Sequence, residues 1–409
     1  MRVAGHVDRC DEQLVEGWIT VLGEPETKVS LDVMLAGKAI GHCTADQLRE
    51  DLRDAEIGDG YCAFSFPMPA FVPKSDLKRI KLRISDSLLY LDMGTGDAAD
   101  DIGGSARNTV SRFGGLWIDH YDWLDHLALK HRMGELSEEM CLKIFKFARD
   151  GYLVIKQAVP SKLIDRLNAE LDKMWVSPPP GLLIETFEPD GIMRYMPPNI
   201  EYRSGTTKLL DLYAFSSLAR EAASPPPVME FLSAIFEDKP KAFQGLNFWN
   251  GSQQAIHKDT AYVKIDSNPM HLAATWLALE DIHAGTGELE YFIGSHRAPD
   301  YLFGGTSKWM ESSHSEHDNF LESLHVDAKS YDHVKGSFLA EKGDVLIWHA
   351  DLAHGGAQIK RPDLTRRSMV HHFTKTENEP FYRRNSNCRE GLSKHCVFVS
   401  QYHDVPSDI

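Results

Sequence analysis

The strongest constraint on this chain is its punctuation. Apolar runs of about four to eight residues recur along most of it, each bounded by Gly, Pro, Asn or Asp, which is strand spacing rather than helix spacing. In the first part, Leu14–Ile19, Val29–Met34, Tyr61–Phe66 and Leu77–Ile84 are such runs. Val29-Ser30-Leu31-Asp32-Val33 alternates as a half-buried strand should, and Gly23-Glu24-Pro25 and Gly58-Asp59-Gly60 supply turns. Residues 1–95 are therefore expected to form a small β-sandwich, interrupted by one acidic helical piece, Thr44–Ala55. The small, acidic residues 96–110 are expected to be a linker.

Beyond residue 110 the character changes. Ser137 is placed to cap a helix that Asp150-Gly151 stops, Tyr152–Ile155 is expected as a buried strand, and Ser161–Trp175 as a second amphipathic helix. A further helix is expected near Pro226–Phe236. Strands are expected at Phe243–Trp249, Leu272–Leu279, Leu289–Ile293, Phe338–Leu339, Asp344–Trp348 and Arg366–Phe373. The expected architecture is mainly β with flanking helices, a jelly roll over 111–375. A C-terminal extension, 376–409, is expected to be anchored by Val397-Phe398-Val399.

Composition excludes several functions. The 44 basic and 60 acidic residues leave a net charge of −16, and no basic cluster with interleaved aromatics offsets it, so a nucleic-acid partner is not expected. No apolar run reaches the ~18 residues of a membrane span. The start has no apolar signal core and the six cysteines form no CxxC pair, so a cytoplasmic chain with free thiols is expected.

Nineteen histidines direct attention to metal chemistry. An HxD tripeptide at a strand end is one half of a two-His, one-carboxylate site, the facial arrangement of non-haem iron. Five occur: His6/Asp8, His120/Asp122, His257/Asp259, His325/Asp327 and His349/Asp351. Only His257/Asp259 has full context. A strand precedes it, and downstream lies Gly343-Asp344-Val345-Leu346-Ile347-Trp348-His349-Ala350-Asp351-Leu352-Ala353-His354-Gly355-Gly356, a buried strand and a histidine against two glycines. His257, Asp259 and His354 are the expected iron ligands. His349 is the competing histidine, and His6, His120 and His325 read as surface or turn residues. Arg366 or Arg367 would grip a distant carboxylate bidentately. Lys258, between two ligands, should point away from the metal. Asn247, Gln253 and Gln254 are candidates to hydrogen-bond cosubstrate or substrate, and His371 and His372 are read as packing or hydrogen-bonding residues.

The order HxD, then GTGELEYFIGSHR, GDVLIWHADLAHGG and RRSMVHHF resembles the phytanoyl-CoA dioxygenase family over roughly residues 115–375. The resemblance implies a double-stranded β-helix and dependence on Fe(II), 2-oxoglutarate and O2. It implies hydroxylation of a small molecule with release of succinate and CO2. It assigns iron to His257, Asp259 and His354, the 2-oxoglutarate carboxylate to Arg366 with Arg367 as fallback, and a cosubstrate wall to Trp276; Gln253 joins these as a cosubstrate-binding candidate. Halogenating relatives carry Gly or Ala at the carboxylate position, so Asp259 disfavours halogenation. Gly5-His6-Val7-Asp8, Glu16-Gly17-Trp18, Arg49-Glu50-Asp51-Leu52 and Ile57-Gly58-Asp59-Gly60 resemble a small β-domain attached to bacterial glycosyltransferases. A glycan-related, acyl or amino-acid-like substrate is implied. The competing readings are a cupin-like metal enzyme that does not use 2-oxoglutarate, and a glycan- or partner-binding scaffold.

Overall fold

The computed structural model describes residues 3–35, 38–70, 72–85, 90–91, 109–187, 192–203, 207–266 and 268–407. Nearly all of the expected linker, 96–110, lies outside these. The chain divides into two compact units, residues 1–108 and 109–409.

Among the described residues the first unit has seven strands: β1 (Val3–Cys10), β2 (Leu14–Val21), β3 (Val29–Leu35), β4 (Lys38–Ala45), β5 (Ala63–Pro67), β6 (Ile80–Ile84) and β7 (Tyr90–Leu91). They form two antiparallel sheets, ordered β1-β2-β5 and β4-β3-β6-β7. Alternate residues of both sheets, among them Val15, Ile19, Leu31, Val33, Phe64 and Leu82, share one apolar core, which makes the unit a sandwich. The helix expected over Thr44–Ala55 is shorter, α1 (Glu50–Asp54), because Thr44 and Ala45 continue β4 in register with β3.

The second unit opens with α2 (Trp123–Arg132) and α3 (Glu138–Asp150). Ser137 accepts a hydrogen bond from the Met140 N–H at 3.2 Å, and Gly151 closes α3 at φ 81°, a conformation only glycine adopts without strain. There follow β8 (Tyr152–Ile155), α4 (Ser161–Val176), β9 (Ile184–Phe187), β10 (Met193–Met196), β11 (Lys208–Leu210), α5 (Ser217–Ala223), α6 (Pro226–Phe236), β12 (Pro240–Phe248), β13 (Ala273–Ala278) and β14 (Leu289–Phe292). The rest comprises α7 (His317–Ser330), β15 (Lys335–Phe338), β16 (Val345–His349), β17 (His354–Gly356), β18 (Ser368–Lys375), β19 (Gly391–Leu392) and β20 (Val397–Phe398).

A large sheet runs β10-β9-β11-β12-β18-β13-β16-β8, and a small sheet runs β15-β14-β17. This is a jelly roll with helices on one side. Strand alternation divides its two interiors. Leu277, Val345, Ile347, Met369 and Phe373 pack towards the helices with Phe147, Leu167 and Phe231. Their neighbours Trp276, Leu346, Trp348 and Val370 point the other way, against Leu289, Tyr291 and Phe338 of the small sheet. The C-terminal extension joins the large sheet: β20 pairs parallel to β12, with Val397, Phe398 and Val399 buried.

Candidate metal centre

The centre is built on a backbone contact. His257 and His354 form an isolated antiparallel bridge, each N–H donating to the other's carbonyl at 2.8 and 2.9 Å. The bridge makes the two side chains cross-strand neighbours, with ring centroids 4.5 Å apart. Gly355 and Gly356 permit it. A Cβ on Gly355 would lie 2.7 Å from the Gln254 carbonyl, and one on Gly356 would lie 2.9 Å from the Gln253 nitrogen.

Each imidazole is held in one tautomer. His257 Nδ1 lies 2.8 Å from the Ala255 carbonyl and His354 Nδ1 lies 2.9 Å from the Leu352 carbonyl. A carbonyl only accepts, so both Nδ1 atoms carry the proton and both Nε2 atoms present lone pairs. Those Nε2 atoms each sit 3.7 Å from Asp259 Oδ1. Asp259 is oriented in turn: Trp348 Nε1 donates to Oδ2 at 2.7 Å, and His372 Nε2 lies 3.3 Å from the same oxygen. Three buried lone-pair atoms therefore converge, all within 4.8 Å of one another. This donor set fits a divalent cation with open positions. Burial pushes the His354 imidazole down to about 4, so it is neutral at physiological pH. Burial alone would raise the Asp259 carboxyl, but the surrounding imidazoles of His354, His372 and His257 hold it well below the usual carboxylate range.

These residues line a cavity of about 200 Å³ together with Trp276, Arg366, Val370 and Gln254. Trp276 is fully buried there, edge-on to Phe338 at 5.7 Å. Arg366 is 3% exposed; its guanidinium donates to Ser368 Oγ at 2.8 Å, its Nε is buried without a partner, and it forms no ion pair among the described residues. Burial draws it down to about 10 despite Glu288 and Glu280 nearby. A buried cation that makes no ion pair among the described residues is costly. Arg367 points the opposite way, over the Trp249 ring and towards Asp172 of α4.

Other sequence candidates lie elsewhere. Gln253 is exposed, its backbone turned to φ 50°, and its side-chain oxygen accepts from the Ile359 N–H at 3.0 Å; its neighbours Ser252 and Gln254 line the cavity instead. Asn247 donates to the Ser368 carbonyl. His349 uses both ring nitrogens away from the centre: Nδ1 accepts from the Asp351 N–H, and Nε2 faces Asp119 at 3.2 Å. Lys258 is buried near Asp351 and Lys308 and is not among the cavity walls. Sequence reasoning missed Trp348 as the residue that orients Asp259.

A second cavity of about 280 Å³ adjoins the first, sharing Gln244, Tyr262 and Val263 as walls. Tyr195, Tyr382 and Tyr402 line it, with Glu185, which is paired with Lys208 at 2.5 Å.

Among solved structures, the chain is similar to Fe-bound EctD from S. alaskensis, with 18% identity over 60% of this chain and 79% of that chain and a TM-score of 0.45. The non-heme alpha ketoglutarate dependent epimerase SnoN from nogalamycin biosynthesis has 15% identity over 59% of this chain and 84% of that chain, with a TM-score of 0.44. HygX from Streptomyces hygroscopicus, with nickel and 2-oxoglutarate bound, has 15% identity over 59% and 88%, with a TM-score of 0.39. Identity at this level carries no information on substrate. No curated protein matches the chain in sequence. Residues 147–368, a little over half of the chain and including all three converging side chains and Arg366, match the model of the phytanoyl-CoA dioxygenase (PhyH) family, and the chain belongs to that family.

Proposed function

We propose that the second unit is an Fe(II)/2-oxoglutarate-dependent dioxygenase that hydroxylates a small molecule and releases succinate and CO2. The observation that carries this is the pairing, in one buried cavity, of three convergent lone-pair donors with an arginine that lacks an anion. His257, Asp259 and His354 hold the iron through Nε2, Oδ1 and Nε2. Arg366 receives the far carboxylate of 2-oxoglutarate, a task that suits a planar guanidinium. Iron with 2-oxoglutarate and O2 supplies an oxidation that couples decarboxylation of the keto acid to hydroxylation of a C–H bond. Trp348 fixes which Asp259 oxygen faces the metal. Trp276 and Phe248, 5.3 and 5.8 Å from the Arg366 guanidinium carbon, keep water from that cation and strengthen its hold on a carboxylate. The adjoining tyrosine-lined cavity is the place for substrate. Asp259 supplies a third protein ligand, which favours hydroxylation over halogenation.

The test is anaerobic addition of Fe(II) and then 2-oxoglutarate, followed by the visible charge-transfer band of the chelate. The wild type gives the band, His257→Ala loses it, and Arg366→Ala raises the 2-oxoglutarate concentration needed on the order of 100-fold, the equivalent of two or three kcal/mol of charge-assisted hydrogen bonding. Stoichiometric iron without a band sinks the 2-oxoglutarate reading and favours a cupin-like metal enzyme. Failure to bind iron favours a scaffold.

A further inference from the structure

Among the described residues, two clusters bring three metal-ligating atoms within 4.8 Å of one another: the centre above, and His120, Asp122 and His126. The second cluster lies at the start of α2, where the chain enters the second unit. His120 is extended, at φ −67° and ψ 151°, and its backbone bridges Thr109. Asp122 occupies the N-cap of α2, and His126 stands one turn along the helix, above it.

Asp122 is out of character for that position. An aspartate at an N-cap normally accepts a hydrogen bond from a backbone N–H in the first turn. Asp122 does not cap its helix. Its side chain is fully buried, and neither carboxylate oxygen accepts a hydrogen bond. Instead Oδ2 lies 3.1 Å from His126 Nε2 and Oδ1 lies 4.0 Å from His120 Nδ1. An ionised carboxylate taken from water without donors is costly, and a cation between it and the imidazoles removes that cost.

The geometry points to a second metal centre, a His-Asp-His site for Zn2+ that fastens the first turn of α2 to the Thr109–His120 bridge. Tetrahedral bonds of about 2.0–2.1 Å place neighbouring ligand atoms about 3.3 Å apart; the His126–Asp122 pair stands near that spacing at 3.1 Å, and the His120–Asp122 pair is wider at 4.0 Å. Two neutral imidazoles and one carboxylate are a borderline donor set that suits zinc. Both histidines are partly exposed, so solvent can provide the fourth ligand. This inference stands apart from the oxygenase reading, since none of the three residues lines the iron cavity.

The test uses the full chain, stripped with chelator and carrying His257→Ala and His354→Ala to silence the cavity. Zn2+ is titrated calorimetrically, and Co2+ serves as a spectroscopic substitute. One zinc per chain is expected, with the intense visible bands of four-coordinate Co2+. Adding Asp122→Asn or His126→Gln should weaken binding at least ~100-fold, more than loss of an outer-shell partner would. Zinc binding that is absent, or unchanged by Asp122→Asn, overturns the proposal and leaves Asp122 and His126 as an ordinary ion pair. If the silenced chain does not fold, stoichiometry decides in the unsilenced one: two equivalents in the wild type and one in Asp122→Asn support the proposal, and equal numbers overturn it.

Discussion

The two units are both built from paired β-sheets, and they use their interiors in opposite ways. In the first, the space between the sheets is apolar, and Thr20 is the only buried polar side chain of that unit among the described residues. Its ion pairs, such as Lys28–Asp59 and Arg83–Asp32, lie at the partly exposed surface. In the second, His257, Asp259, His354, Arg366, Lys308 and Asp351 are all buried. The first unit closes a two-sheet core without interior charge among the described residues. The interior charge of the second unit is a cost the first does not carry; part of it lines the cavity, as with His257, Asp259, His354 and Arg366, and part is internally paired, as with Lys308 and Asp351.

The comparison is tested most severely by His354→Ala. It should abolish iron-dependent consumption of 2-oxoglutarate, measured as succinate release, while the far-ultraviolet dichroism of both units is retained. Next comes Lys308→Met. Lys308 joins Asp300 and Asp351 at 2.5 and 2.6 Å inside the second unit, and its loss removes the cation shared by two carboxylates, leaving Asp300 with Ser111 and the Arg112 N–H and Asp351 with Thr260 and the nearby Lys258. A destabilisation of about 3–5 kcal/mol in urea unfolding of the second unit is expected.

A pH series should then separate the units. Burial, followed by the neighbouring His372, draws His371 down to about 3. The unfolded chain takes up this proton below about pH 6.5, and the folded chain does not until about 3. Stability of the second unit should therefore fall as pH drops through that window, by a few kcal/mol, and His371→Asn should flatten the slope. The smallest effect is expected for Arg49→Ala in the first unit. Arg49 pairs with Asp8 and Asp51 where all three side chains are a third or more exposed, so under about 1 kcal/mol should be lost, and less in high salt. A large loss there would break the contrast.

Much of the centre was legible because its chemistry is written in short spacings. His257 and Asp259 are two apart, and the glycines after His354 mark a close approach that the structure contains. The choice between Arg366 and Arg367 rested on strand register, which two adjacent arginines do not reveal. Gln253 misled because its left-handed backbone turns the side chain out to Ile359. Trp348 and His372 lie in runs that read the same whether they fill a core or orient a carboxylate. Among larger elements, α7 was hidden in a polar stretch where only Phe320, Leu324 and Ala328 are buried. Strands β9 to β11 are three or four residues long, too short for alternation to register.

The reciprocal backbone bridge between His257 and His354 makes part of the donor set a property of the main chain. Two of the three donors are held side by side by main-chain hydrogen bonds, which need no cation. A cation bound there would add to a socket that the main chain already holds, and its removal should leave the fold intact. Chelation should empty the iron cavity without unravelling the jelly roll, and a different divalent ion could be installed afterwards in the same molecule, so that metal identity becomes a variable of the experiment rather than a consequence of how the protein was made.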